Sequence, residues 1–494
     1  AAGNLRFQRR ITGAGGWRLI SSPVNSTFGD LLDGTLTQGY AGSTLGNAPL
    51  DSLQPNVLTY DETFPGTDNQ RYRAPANASA SLSQGQGMFV FFFGSIPADN
   101  RYNDPLPDTL DVTGQEFEGS GTEVDFGITY TAAADTGFNL IGNPYGATID
   151  WDHPSWTKTN VDNTIYIWDP AANGGNGEYL TWNGVTGTLG SGLIPPFQGF
   201  WVKATGAGPS LIVSEDAKTN NGNFLRKEGK GSSDTENGPL IRLQLRNQEL
   251  IKQTNIMFSN QASLRKDPLD AFELSPFSAS RVELHTLLED GSALAINNLP
   301  SNFSNRLFVP LEVKGFRDGI GISGDFELSL LGLRQVPDDW LVTLIDNDTG
   351  EEINLREQNT YTFYHSTREK YVANDPLQPR KLMKSRISGD QRFTLLISTE
   401  EIEANIPREA FLDQNYPNPF NPTTQIPFGL DVASDVRLEV FDILGRRVVT
   451  LADQRYQPGR YEIRFNAAGL ASGVYIYRLI TDQKVMTKKL TLIR

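Results

Sequence analysis

Apolar and polar positions alternate in short runs along most of this chain, and glycine, proline, asparagine and aspartate separate the runs. That is the period of strands buried on one face, not of helices. Toward the end, Val436, Leu438 and Val440 take one face while Arg437 and Glu439 take the other. Asp442–Arg446 supplies a glycine turn, Pro458-Gly459 a second turn, and Tyr461, Ile463 and Phe465 alternate again. Gly469 and Gly473 bracket another turn, before the runs Val474–Ile480 and Val485–Ile493. Ahead of these, Asn415–Pro422 holds three prolines and three asparagines. Proline fixes φ and pushes the preceding residue to extended backbone, so this is a stiff, extended lead-in. About seven short strands with regular turns predict a small antiparallel sandwich over 403–494.

Residues 239–402 read the same way. Leu240–Leu245 and Arg281–Leu287 begin strand-like runs, and Phe308–Val313, Phe326–Leu330, Trp340–Ile345, Thr360–Tyr364 and Phe393–Ile397 continue them. Asp290-Gly291, Gly315, Gly324-Asp325 and Asp348–Gly350 mark turns, so a second antiparallel sandwich is expected. The basic stretch Pro379–Arg386 before its last strand reads as a solvated loop, with an anion or partner site as the alternative.

The first two hundred residues repeat themselves. Gly16–Pro23 corresponds to Gly137–Pro144, Asn56–Asp61 to Thr164–Asp169, and Gly85–Val90 to Phe197–Val202. Landmarks recurring in one order predict two copies of a β-rich unit, over about 8–110 and 125–213. The domains expected are therefore 1–110, 111–215, a linker 216–238, 239–402 and 403–494. The linker is polar, glycine-rich and nearly free of apolar residues, which leaves it too little surface to bury. The fold class is all-β and multidomain, and 494 residues fit about three to five domains.

Composition narrows the partners. The net charge of −15 argues against nucleic acid and anionic membrane. No cysteine is present, which removes disulfides and cysteine-based metal or redox sites. The longest apolar run, Met88–Phe93, is strand length, so no transmembrane segment is expected. The chain opens at Ala1-Ala2-Gly3 with neither a charged nor an apolar leader, so an exported form would already have lost its signal peptide.

The segment from about Phe411 to Arg494 resembles the type A C-terminal sorting domain of the type IX secretion system. The resemblance rests on Asn415–Pro422, Phe441–Arg446, Gly459-Arg460-Tyr461, Ser472–Tyr475 and the basic pair Lys488-Lys489. It implies export across the outer membrane of a Gram-negative bacterium, with the outer-membrane translocon as partner and an extracellular or cell-surface destination. Such domains are often removed after export. Its signal residues map here to Pro419, Asn421, Pro422, Gly445, Gly473, Val474, Tyr475, Lys488 and Lys489. More loosely, Asn139–Tyr145 and Gln198–Val202 are similar to a β-repeat of large secreted surface proteins, which implies no activity.

Candidate chemistry is sparse. His153, His285 and His365 fall in different regions without metal-ligand spacing. Neither a Gly-x-Ser-x-Gly elbow nor a phosphate loop occurs. Counting leaves a glycosidase carboxylate pair open, although nothing marks any two as paired. Asp61, Glu62 and Asp68, and Asp267 with Asp270, are candidate structural calcium ligands, with solvated turns as the other reading. Trp151, Trp156, Trp168, Tyr179 and Trp182 are either core or a platform for a glycan or protein partner. Ser52 and Thr109 resemble O-glycan acceptors, in Asp51-Ser52-Leu53 and Asp108-Thr109-Leu110.

Tandem β modules without a catalytic constellation point to a non-catalytic structural or adhesive protein of the surface or exterior, with no cofactor. Self-assembly into a filament or layer is one form of this, by donation of Asn4–Thr12 or Asn415–Thr424 to a neighbour's sheet edge. The alternatives are a secreted carbohydrate-binding protein, a glycan hydrolase, or a cargo bound to its translocon.

Overall fold

The structure is a computed structural model that describes residues 4–45, 54–65, 71–94, 104, 106–116, 123–132, 137–219, 238–274, 276, 278–303, 306–367, 391–399, 407 and 409–493. The chain is almost all β and divides into two compact units, Ala1–Thr399 and Glu400–Arg494.

The internal repeat is a structural repeat. In the first copy, Gly16–Ser21, Gly87–Phe92, Val57–Tyr60 and Tyr72–Arg73 lie side by side in that order. In the second, Phe138–Gly142, Gly199–Lys203, Ile165–Asp169 and Glu178–Trp182 repeat it. Even the register matches: Ser21 lies opposite Gly87, and its equivalent Gly142 lies opposite Gly199.

The copies meet reciprocally. Ile20 bridges Gln198, and the equivalent Ile141 bridges Gln86. The Ser21 N–H donates to Phe197 O at 3.1 Å, and the Gly142 N–H donates to Gly85 O at 2.8 Å. Equivalent pairs making equivalent bonds define a local pseudo-twofold axis. The glycines of both Gln-Gly landmarks sit where backbones cross closely. A Cβ on Gly87 would lie 2.5 Å from Ile141 O, and one on Gly199 would lie 2.9 Å from Ile20 O.

Phe138–Gly142 and Ile165–Trp168 are buried at successive and not alternate positions, because these strands are covered on both faces. One face of both sheets forms a common core containing Trp17, Phe89, Leu140, Tyr166 and Trp201, which also takes in Leu240, Met257 and Ile296 of the following sandwich. Trp201 is its hub, edge-on to Tyr60 at 4.8 Å and near Phe89 at 5.7 Å. The opposite faces pack into separate cores.

Leu5–Ile11 pairs along its length with Asp108–Gly114, which carries the first module's chain to Gly114. The second module runs to Thr219, because Lys218–Thr219 pairs with Thr148–Ile149. Most of the expected linker, 220–237, lies outside the described residues, as do Asp68, Ser52 and Pro379–Arg386.

The sandwich from Leu240 to Ser398 is one long sheet rolled around a single core. It departs from the all-antiparallel expectation at one pairing. Leu250–Ser259 runs parallel to Ala293–Pro300, because the chain between them crosses over through Ala271–Phe272 and Arg281–Leu287. The two ends of the sheet, Glu351–Asn354 and Thr360–Ser366, are joined through side chains. The Tyr361 hydroxyl donates to Glu351 at 2.7 Å, and the Arg392 guanidinium holds Asp346 at 2.8 Å while stacking over Phe363. Side chains thus cover edges that would otherwise present unpaired backbone.

In the smaller unit, a three-stranded sheet (Phe411–Leu412, Thr423–Leu430, Gly459–Asn466) packs on a four-stranded one (Arg447–Tyr456, Ser434–Phe441, Gly473–Ile480, Val485–Leu492). Ile426, Phe428, Leu438, Val440, Tyr477 and Leu490 fill the space between them. This is the small sandwich that the alternation predicts.

Candidate functional site

The lead-in of the smaller unit folds back on its own sandwich. The Asn415 N–H donates to the Tyr477 hydroxyl at 2.9 Å, and its side-chain amide donates to Thr424 Oγ1 at 3.0 Å. Phe420 is buried and bridges Leu492. Pro419, Asn421 and Pro422 stay exposed around that anchor. Gly445 closes the Asp442–Arg446 turn at φ +78, a left-handed conformation that suits glycine, while the Asp442 carboxylate accepts the Leu444 and Arg446 N–H groups at 2.9 Å each. Tyr475 is buried beside exposed Gly473 and Val474. Lys489 is exposed and Lys488 half-buried on the last strand, Val485–Leu492. The signal residues therefore lie on the four-stranded sheet, its Asp442–Arg446 turn and the lead-in, presented by one packed core.

The aromatic candidates are interior. Trp151, Trp156 and Trp182 pack in one core of the second module, and Trp168 and Tyr179 in the shared core. The most exposed, Trp156, retains 8% of its surface. A stacking platform needs an open ring face, so these five do not form one.

The calcium candidates are likewise occupied by donors. Glu62 accepts the Thr131 N–H at 2.8 Å and the Gly137 N–H at 3.1 Å, tying the first module to the second. Asp270 accepts N–H groups from Asn298 at 2.5 Å and Asp267 at 2.7 Å. Asp267 accepts from Leu269 and from the Asn298 amide. Among the described residues no group of three or more His, Asp or Glu could hold a metal ion. His153 meets Ser155, His365 packs on Phe326, and His285 is buried against Glu312 at 2.7 Å. Thr109 is exposed, on the strand paired with Leu5–Ile11.

Buried charge concentrates where the second module meets the sandwich. Lys252 bridges Glu178 at 2.7 Å and Glu273 at 2.9 Å, and Lys266 reaches Asp162 at 3.2 Å. Burial pushes the Asp270 carboxyl up to about 7 and raises Glu178, Asp162 and Asp152 as well. Burial also opposes ionisation of Glu312, but His285 and Lys314 outweigh it and hold that carboxyl at about 2.

The signs oppose each other in different windows. A carboxyl raised in the folded state holds a proton that the unfolded chain releases, so Asp270 makes stability fall as pH rises from about 4 to about 7. Glu312 is depressed, so its contribution is present above about 4.5 and lost as pH falls toward 2. Urea unfolding of the larger unit is therefore expected to show roughly 2 kcal/mol more stability at about pH 5 than at about pH 8. A midpoint that rises over that interval would contradict this.

The same seam opens into a cleft that no motif announced. Its walls are the loop Thr186–Gly190 with Trp182 from the second module, and Leu240, Arg242, Gln253 and Leu331–Arg334 from the sandwich. Leu240 lies opposite Arg334 and Arg242 opposite Gly332, so the two arginines are diagonal neighbours on one face, about 7–8 Å apart at the backbone. Asn255 Oδ1 accepts from Arg242 Nε at 3.1 Å. Burial, and secondarily the charge of Arg334, lower the Arg242 pKa. None of the described residues lining the cleft is acidic.

The loop is held from beneath. Buried Asn183 accepts the Val185 and Thr186 N–H groups and donates to Leu269 O, and Leu189 N–H bonds Thr181 O. Sequence reading missed this site because its arginines stand ninety residues apart and become neighbours only through strand pairing. The available signal was two arginines at alternate-face positions of apolar strands.

Residues 414–493 match the family described as "Secretion system C-terminal sorting domain". The chain therefore carries a type IX sorting domain and is a secreted, cell-surface or extracellular protein of a Gram-negative bacterium. No helix among the described residues is long and apolar enough to cross a membrane. The comparison with curated proteins finds no match. One solved structure with some likeness is PorZ, described as an essential bacterial surface component of the type-IX secretion system of Porphyromonas gingivalis. It is 11% identical, with 67% of this chain and 58% of that chain covered and a TM-score of 0.16. The chain thus spans less than two thirds of PorZ, and nothing about its role follows from so low a score. Residues 40–372, which include most of the first module, the second module, the cleft and most of the sandwich, match a second family, and on that match the chain belongs to the family described as "Domain of unknown function (DUF8693)".

Proposed function

We propose that this chain is a non-catalytic adhesive protein, delivered by type IX secretion, that holds its ligand in the cleft between the second module and the sandwich. The observation that carries this reading is the cleft: two cationic side chains, without an acidic neighbour in its described lining, on a protein of net charge −15. Its loop is held by hydrogen bonds to Asn183 before any ligand arrives, which lowers the ordering cost of binding.

Strand donation to a second copy is the less favoured form of the structural reading. Leu5–Ile11 is already paired with Asp108–Gly114, and the lead-in is already docked on its own sandwich. Donation would first require those bonds to be broken.

The test is binding of labelled full-length protein to whole cells and to isolated extracellular material. Saturable binding that drops at least tenfold on Arg242→Ala is the expected result. Equal binding by the variant would move the adhesive surface elsewhere, and turnover of the bound material would replace the reading with an enzymatic one.

A further inference from the structure

We infer that the cleft between the second module and the sandwich binds an acidic polysaccharide, its arginines taking the carboxylate or sulfate groups of successive sugars. This rests on the adhesive reading above and names its ligand. A guanidinium is a planar fork that matches such oxyanions with paired hydrogen bonds. Two forks stand here as diagonal neighbours on one sheet face. The Nε of Arg242 is occupied by Asn255, and its Nη groups have no hydrogen-bond partner among the described residues. The Nη groups of Arg242, half-buried beside the like charge of Arg334, are an arrangement that an anion completes.

The rest of the lining suits sugar better than peptide. Thr186, Thr188 and Gln253 offer neutral hydroxyl and amide groups for sugar hydroxyls, with the backbone of Gly187 and Gly190 beside them. Exposed Leu331 and half-buried Leu333 supply apolar surface for the C–H faces of a ring. The cleft lies along the seam between the second module and the sandwich.

The test uses full-length protein in affinity electrophoresis and calorimetry. The probes are polygalacturonate as a uronate, heparin as a sulfated glycan, polyglutamate as an acidic peptide, and dextran as a neutral glycan. Retardation by one or both acidic glycans is expected, weakening with added salt. Arg242→Ala and Arg334→Ala should each reduce affinity at least tenfold, with Arg242→Lys intermediate because it keeps the charge but loses the fork. Arg10→Ala, the same charge change at an exposed strand position of the first module, should have no effect. Thermal melts unchanged from wild type show that the variants fold.

The relative response to polygalacturonate and heparin identifies the anion, and either preference supports the proposal. Equal or stronger retention by polyglutamate, or retention by dextran that survives both arginine changes, overturns it. Binding to cells that depends on Arg242 while no acidic glycan competes would overturn the ligand class and leave the adhesive reading standing. No binding to cells or to any probe would remove both.

Discussion

Replacing Lys252 by methionine is expected to destabilise the larger unit by about 3–5 kcal/mol. The lysine is buried between Glu178 of the second module and Glu273 of the sandwich, at 2.7 and 2.9 Å. Methionine fills a similar volume, so packing is largely kept, but two buried carboxylates are left facing each other without a cation. The loss should be visible in tryptophan fluorescence during urea unfolding. All seven tryptophans precede Thr399, so that signal reports the larger unit alone.

The deficit has a pH signature. Burial already raises the Glu178 carboxyl, and without Lys252 it should rise further. A raised carboxyl costs most where it must ionise, so the deficit should be smaller at about pH 5 than at about pH 8. Adding Glu178→Gln and Glu273→Gln to the variant should recover much of the loss. A Lys252→Met protein as stable as wild type, or a deficit independent of pH, would show that the three groups are better solvated than their burial implies.

The second large effect lies at the pseudo-twofold axis. Gly142→Ala should cost about 2–3 kcal/mol, because the new Cβ would lie 2.1 Å from Ser21 Cβ and 2.9 Å from Gln198 O. Ser21 and Gly142 are the same position in the two copies, facing each other across the axis. There is room for one side chain, so one copy carries serine and the other glycine.

This makes the prediction a cycle. Ser21→Gly alone should cost about 1 kcal/mol, and the double variant should be more stable than Gly142→Ala by itself. A coupling energy of at least about 1 kcal/mol in that direction is expected from residues in direct contact. Strictly additive costs would mean the copies can shift apart to admit both side chains, and the reciprocal contact would then be looser than it looks.

Much of the fold was legible because it is local. Alternation of Val436, Leu438 and Val440 against Arg437 and Glu439 reflects one buried face, and the sheet there is built that way. The repeat was legible because Gly16–Pro23 and Gly137–Pro144 keep the same residues at the same structural positions. The aromatics of the second module were not legible as core or surface. Trp168 lies on a strand buried at successive positions, which removes the alternation that would have told the two apart, and Trp151 and Trp156 lie between strands, where no alternation applies. The parallel pairing of Leu250–Ser259 with Ala293–Pro300 was also hidden, since a strand carries no mark of its neighbour's direction.

By itself the sequence determined an all-β chain, a duplicated unit and the sorting tail, because each is written in residues close together along the chain. Only the tertiary structure decided that the two copies face each other about an axis, and that they share a core with the sandwich. Only it brought Arg242 beside Arg334 and Lys252 between two glutamates. Those juxtapositions depend on strand order and register, which are set by how whole sheets pack and not by any single run of residues.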